Sequence, residues 1–139
     1  MLRVTLTRTV GFRATHRYWV AEWSAEQNQA HFGPATEAHP HDYRCAATVS
    51  GSPDPDTDMI VELPELDRIL QEEIIARFDG KNLNRDTPEF AEGGMLPSCE
   101  ALARYCFKRV EERLPEGVTL ERVTISEDAT LSAEVSGER

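Results

Sequence analysis

Four histidines are the residues of this chain best suited to chemistry, and all of them fall between Phe12 and Tyr43: His16, His31, His39 and His41. His39 and His41 form an H-x-H pair in a stretch that reads as a strand, where His39, His41, Tyr43 and Cys45 alternate with Pro40, Asp42 and Arg44. Alternate residues of a strand point to one face, so the two imidazoles project together. A third nitrogen from a distance in sequence, such as His16, would complete three protein ligands and leave a fourth position open. That is the arrangement of a catalytic zinc site rather than of a closed structural one. By itself, such a pair on a strand is more often packed or solvated than metal-bound.

The elements that must position these side chains follow from pattern. Leu2, Val4 and Leu6 alternate with polar residues, and the pattern resumes, read as shifted, at Phe12, Ala14 and His16. Gly11 between them is the place for a bulge or bend in one long strand. Residues 19–38 have no clean period and read as a loop or a short helix, with Gln27, Asn28 and Gln29 facing solvent. Pro40 to Val49 is the second strand. Gly51 to Asp58 is dense in turn formers, and Met59 to Leu63 is expected to extend the sheet. Pro64 suits the first turn of a helix, in which Leu66, Ile69, Leu70 and Ile74 recur at helical spacing until about Phe78, before Gly80. Residues 82–94 form a long irregular connection, a length that marks it for function. Ser98 caps a second helix with Glu100 in its first turn, and Leu102, Tyr105, Cys106 and Val110 are its buried stripe. Val118 to Ile125 and Thr130 to Val135 make a hairpin around Asp128. The order β-β-α-α-β-β predicts an α+β fold with two helices on one face of an antiparallel sheet.

A chain of 139 residues with 40% hydrophobic and 29% charged content fits one globular domain, residues 1–139, with a real core. No apolar run approaches the length of a membrane span, and the alternating start MLRVTLTRTVGF reads as a strand, not a signal peptide. Cys45, Cys99 and Cys106, without a C-x-x-C pair, suggest reduced thiols and a cytoplasmic location. The net charge of −10 argues against a nucleic-acid partner. An anionic substrate would need local basic groups, for which Arg13, Arg17, Lys81 and Arg85 are the candidates.

Several fragments then fall into one frame. Phe12-x-Ala14-x-His16, Phe32-Gly33, His39-x-His41-x-Tyr43, Asp79-x-Lys81-Asn82-Leu83-Asn84, Thr87-Pro88-x-Phe90 and Pro97-Ser98-x-Glu100 occur in that order, with Glu127 between the last two strands. Together they resemble the 6-pyruvoyl-tetrahydropterin synthase and 6-carboxytetrahydropterin synthase family, over nearly the whole chain. The resemblance implies the tunnelling fold, in which subunits join their sheets into a barrel, usually a hexamer built from two trimers. It implies Zn2+ held by His16, His39 and His41, and a pterin ring gripped by Glu127 with help from Ser98, Cys99 and Glu100. A carboxylate suits that task because it accepts two parallel hydrogen bonds from a 2-amino pyrimidinone edge. Without the resemblance, Glu127 reads as a solvated turn residue. In the implied reaction zinc acidifies the side-chain hydroxyls of 7,8-dihydroneopterin triphosphate. A cysteine thiolate moves protons, an Asp-His pair assists, and triphosphate is eliminated; the bacterial branch removes acetaldehyde as well.

The sequence departs from that pattern at the acid/base groups. The family cysteine, four residues before the H-x-H pair, is Ala35 here; the Asp-His pair falls at Asp79-Gly80; and Pro40 replaces the usual glycine between the two histidines. Losing one positioned acid/base group costs about two to four orders of magnitude in rate, although losses within one relay need not multiply. Glu37 is one substitute, since a branch of the family uses a glutamate in this loop to cleave the side chain to 6-hydroxymethyl-dihydropterin; here it is one residue off register. Cys45 shares a strand face with His39 and His41 but, four residues further along, stands about 13 Å away. Cys99 and His31 are the others, a packed helix cysteine and a loop histidine. Glu37 and Asp79 are the preferred catalytic residues. Two readings follow: a zinc-dependent pterin lyase with altered acid/base residues, or a non-catalytic pterin-binding homologue.

Overall fold

The alternation near the N-terminus becomes strand β1, Thr5–His16, which pairs antiparallel with β2, His39–Ser50, from Thr5 opposite Ser50 to His16 opposite His39. The computed structural model describes residues 2–137. Gly11 lies opposite Arg44 in an unbroken ladder, so the expected bulge is absent. Leu6, Phe12, Ala14 and His16 are all even-numbered and share one face with no slip of register. The irregularity of the sheet lies instead between Thr48 and Val49, where β2 meets the strand at Thr119–Ser126.

Between the two strands lies helix α1, Ala25–Phe32, followed by a tight turn at Gly33–Thr36. Ser24 and Gln27 form a reciprocal capping box at its start, an S-x-x-Q signal present in the sequence. Asn28 is fully buried, not solvent-facing. Its carboxamide accepts the Val20 N–H at 2.8 Å and donates to the carbonyls of Val20 and Ser24, each at 3.1 Å, which is why a polar side chain is tolerated there.

Residues 59–63 add no strand. The Met59 carbonyl accepts the Asp54 N–H at 2.8 Å, closing the preceding turn on itself, and Ile60 and Val61 turn into the core while Met59 stays exposed. Helix α2, Leu63–Leu70, runs through a π turn at Gln71–Ile75 into α3, Ala76–Phe78. The following connection is less irregular than its composition suggests: β3, Lys81–Asn82, pairs parallel with β1, and α4, Leu83–Asp86, precedes a tight turn at Pro88–Phe90. Helix α5, Cys99–Glu111, is capped by Ser98 as expected, and β4, Thr119–Ser126, and β5, Ser132–Ser136, form the terminal hairpin. The sheet order is β3-β1-β2-β4-β5.

The α+β expectation therefore holds in its main elements. Phe12, Tyr43 and Cys45 of the strands meet Leu66, Ile74, Phe78, Leu102 and Cys106 of the helices in one core. Beside it, the buried carboxylate of Glu73 in the π turn accepts from Arg109 at 3.0 Å and Arg113 at 2.7 Å, tying that turn to α5. No helix among the described residues is long and apolar enough to cross a membrane.

Candidate functional site

The β1–β2 register brings the end of one strand to the beginning of the next, and with it three of the four histidines. The ring centroids of His16 and His39 are 4.6 Å apart, those of His16 and His41 5.1 Å, and those of His39 and His41 4.9 Å. One nitrogen from each lies within 4.8 Å of the others. His31 is not among them; it is exposed and lies against Trp23, 4.6 Å between ring centroids.

Main-chain carbonyls orient two of the three rings. The Nδ1–H of His16 donates to the Pro97 carbonyl at 2.8 Å, with the Tyr43 hydroxyl 3.1 Å from the same nitrogen. The Nδ1–H of His39 donates to the Glu37 carbonyl at 2.8 Å. Both bonds leave Nε2 as a lone-pair donor, the outer-shell pattern that fixes metal-binding imidazoles. The Nε2 atoms of His16 and His41 are buried without a hydrogen-bond partner, a costly state unless a ligand completes it. Burial, together with the neighbouring His39 and His41 and against the pull of the Pro97 carbonyl, lowers the His16 pKa from 6.5 to about 4. Three imidazoles with a side open to a fourth ligand are a donor set that fits zinc.

Glu127 follows β4 and closes the hairpin through its N–H, which donates to the Leu131 carbonyl at 3.1 Å. It is no solvated turn residue: its side chain is 11% exposed, with Oε2 3.5 Å from His41 Nε2. Oε1 accepts from the Cys99 thiol at 3.6 Å. Burial and the Glu127 charge push the Cys99 pKa up to about 12. Cys99 is therefore a thiol donor and no replacement for a thiolate. Ser98 accepts the Ala101 N–H at 3.1 Å as N-cap, and Glu100 is exposed in the first turn of α5.

The other candidates lie elsewhere. Asp79 accepts the Arg13 N–H at 2.9 Å and lines an open groove with Thr9, Gly11, Arg13, Asp42 and Arg44. These odd positions of β1 face away from His16, so one chain does not bring Asp79 to the imidazoles. The carbonyl of Glu37 orients His39, while its side chain is exposed. Cys45 is fully buried in the core beside Cys106. Of the basic residues, Arg13 pairs with Asp42 at 2.9 Å, Arg17 with Glu92 at 3.4 Å and Arg85 with Asp86 at 3.7 Å. Lys81 and Arg85 line a second groove with Arg13.

Sequence reasoning missed three contributors. Pro97 orients the first imidazole by its carbonyl, which no side-chain pattern records. Tyr43 was visible as the next member of the H-x-H-x-Y alternation; it is buried and its hydroxyl reaches His16. Tyr18 packs edge-on against His16 at 4.9 Å. Burial first, then the charges of Glu127 and Glu100, raise its pKa above the ordinary value, so it keeps its proton. Its only sequence signal is a position two residues after His16.

Comparison with known proteins bears on this arrangement. The chain matches the family described as 6-pyruvoyl tetrahydropterin synthase over residues 5–138. A human 6-pyruvoyl tetrahydrobiopterin synthase is 34% identical over 115 residues, 81% of this chain and 78% of that protein. A Drosophila melanogaster protein of the same description is 34% identical over 125 residues, 88% of this chain and 73% of its own length. The structure of Caenorhabditis elegans 6-pyruvoyl tetrahydropterin synthase superposes with a TM-score of 0.89 at 26% identity, covering 99% of this chain and 98% of that one. A Plasmodium vivax 6-pyruvoyltetrahydropterin synthase shares the fold, with a TM-score of 0.67 at 13% identity over 97% of this chain and 98% of its own.

Proposed function

Because the chain belongs to the 6-pyruvoyl tetrahydropterin synthase family, we propose that it is a zinc-dependent pterin lyase with altered acid/base residues, acting on 7,8-dihydroneopterin triphosphate or a close relative. The observation that carries this reading is the convergence of three imidazoles, two with buried and unpartnered Nε2 atoms, beside the half-hidden carboxylate of Glu127. His16, His39 and His41 would hold the ion. Bound there, zinc supplies Lewis acidity toward hydroxyl and carbonyl oxygens.

The chain's own residues do the rest. The carbonyls of Pro97 and Glu37 hold the His16 and His39 rings so that Nε2 faces inward. Glu127 accepts hydrogen bonds from the amino-pyrimidinone edge, and the Cys99 thiol fixes the orientation of that carboxylate. Ser98, the N-cap of α5, and Glu100 in its first turn would assist Glu127 in holding that edge. Glu37, whose carbonyl orients His39 and whose side chain is exposed, is the candidate base. Asp79, across the sheet, can serve only if another subunit presents it, which fits a homo-oligomer, a hexamer built from two trimers.

A second reading rests on the same site. Ala35 and Gly80 offer no side-chain donor or acceptor where the family's proton relay stands, which favours a pterin-binding homologue without the usual elimination. Zinc-loaded protein incubated with 7,8-dihydroneopterin triphosphate, with products followed by mass spectrometry, separates the two. A 6-pyruvoyl or 6-carboxy product supports a replaced relay, and a 6-hydroxymethyl product supports side-chain cleavage by Glu37. Tight pterin binding without any product leaves the second reading. Turnover that survives in both Glu37→Gln and Asp79→Asn removes both candidate bases.

A further inference from the structure

Tyr18 is a polar side chain that the chemistry above leaves unused, although the fold holds it in place from several directions. Its neighbour Arg17 is gripped on both main-chain groups by Asn84: the Arg17 N–H donates to Asn84 Oδ1 at 2.8 Å, and Asn84 Nδ2 donates to the Arg17 carbonyl at 3.1 Å. Asn84 is itself fixed by its N–H on Asn82 Oδ1 at 3.1 Å. The N–H of Tyr18 donates to the Ala35 carbonyl at 2.9 Å. The ring is packed between His16, at 4.9 Å between centroids, and Phe32, at 5.6 Å. A side chain so restrained loses little rotamer freedom when it binds something.

The hydroxyl is a different matter. Of the three tyrosines of the chain, Tyr43 bonds His16 and Tyr105 bonds Arg77 through the phenol oxygen. No described residue exchanges a hydrogen bond with the Tyr18 hydroxyl. A half-buried phenol ordinarily finds a partner, and here the groups closing around it belong to the candidate site. His16, whose Nε2 is buried and unpartnered, is the imidazole against its ring, and Glu127 and Glu100 lie close enough for their charges to act on the phenol.

We propose that the Tyr18 hydroxyl donates a hydrogen bond to the hydroxylated 6-substituent of the bound pterin, and so helps the site select that substituent. The proposal rests on the pterin reading above. Glu127 would hold the ring edge, and Tyr18, whose ring lies against His16, would meet the 6-substituent. Asn82 and Asn84 are then positioning residues that hold the 17–18 backbone.

The test is a fluorescence titration of the full-length, zinc-loaded protein and its Tyr18→Phe variant with two probes: 7,8-dihydroneopterin, which carries the hydroxylated substituent, and 7,8-dihydro-6-methylpterin, which does not. Phenylalanine keeps the ring contacts with His16 and Phe32, so equal zinc content and equal melting are expected. Loss of one neutral hydrogen bond weakens 7,8-dihydroneopterin about five- to tenfold and leaves the methyl compound unchanged. Equal affinity of both proteins for 7,8-dihydroneopterin overturns the proposal, as does an equal loss for both probes or a loss of zinc from the variant. If the unsubstituted protein binds neither probe, the pterin reading falls and takes this assignment with it. Binding of both probes with no effect of Tyr18→Phe removes the assignment alone.

Discussion

At the residue scale the site is organised around a histidine kept neutral. His16 is fully buried, and its pKa is lowered from 6.5 to about 4 by burial, with His39 and His41 acting in the same direction. In metal-free protein the unfolded chain therefore binds the proton first. Stability from this group is fully present above pH 6.5 and is lost as the pH falls through that value toward 4. Urea melts of metal-free protein at intervals across this window should show a falling unfolding free energy, and His16→Gln should flatten the fall. Gly80 gives a second expectation. Its φ is +74° and a Cβ there would meet nothing within 4 Å, so the obstacle to a side chain is the backbone conformation and not space. Gly80→Ala, and Gly80→His equally, should cost about 1 kcal/mol in a denaturant melt. Restoring the histidine at this position is thus opposed by the local fold. The pairing of His39 with His41 was legible because strand alternation is a rule of covalent geometry. The partners of those rings were not, because carbonyls such as those of Pro97 and Glu37 are present at every residue and only the fold selects which one is used.

Among the elements, what could be read in advance was what repeats. The alternation of β1 and β2, the spacing of Leu66, Ile69, Leu70 and Ile74, the Ser98 cap and the terminal hairpin all follow from period or capping. What could not be read was decided by single tertiary contacts. Asn28 is polar yet buried, because the turn at Val20 supplies both a donor and an acceptor for its carboxamide. Met59 looks like a strand start but closes a turn on Asp54. The two-residue β3 carries no period of its own and exists because β1 offers it an edge. The π turn at Gln71–Ile75 has the same character, with Glu73 turned to meet Arg109 and Arg113 of α5. Burial alone would raise the Glu73 pKa, but the hydrogen bonds of Arg113 and Arg109 outweigh it and hold the carboxyl below its ordinary 4.5. The contribution is present above pH 4.5 and is lost as the pH falls below it. Because the arginines are about one-third exposed, solvent screening trims its size. Glu73→Ala should destabilise by about 1–2 kcal/mol, measured by thermal or urea unfolding at pH 7. The difference from the unsubstituted chain should shrink in acid; a difference that persists unchanged there would mean that packing, not charge, holds the turn.

The whole molecule carries a net charge of −10, and that sets a condition on how the proposed triphosphate substrate would reach the site. Local arginines are weaker compensation than their number suggests: Arg13, Arg17 and Arg85 each face an acidic partner, Asp42, Glu92 and Asp86. The balance between them and the rest of the surface is then a matter of range. At about 0.01 M salt the screening length is about 30 Å and an approaching anion senses the charge of the entire chain. At about 0.15 M it is about 8 Å, and only the groups lining the nearest groove, Lys81 among them, remain in view. Long-range repulsion therefore dominates at low salt and is removed first as salt is added. The association rate of 7,8-dihydroneopterin triphosphate, followed by stopped-flow fluorescence, should rise about three- to tenfold between these conditions. The rate for uncharged 7,8-dihydroneopterin should stay nearly flat and so serve as the internal reference. A triphosphate rate that falls with added salt would reverse the conclusion, since it requires an attractive field at long range, and Lys81→Gln should then abolish the fall.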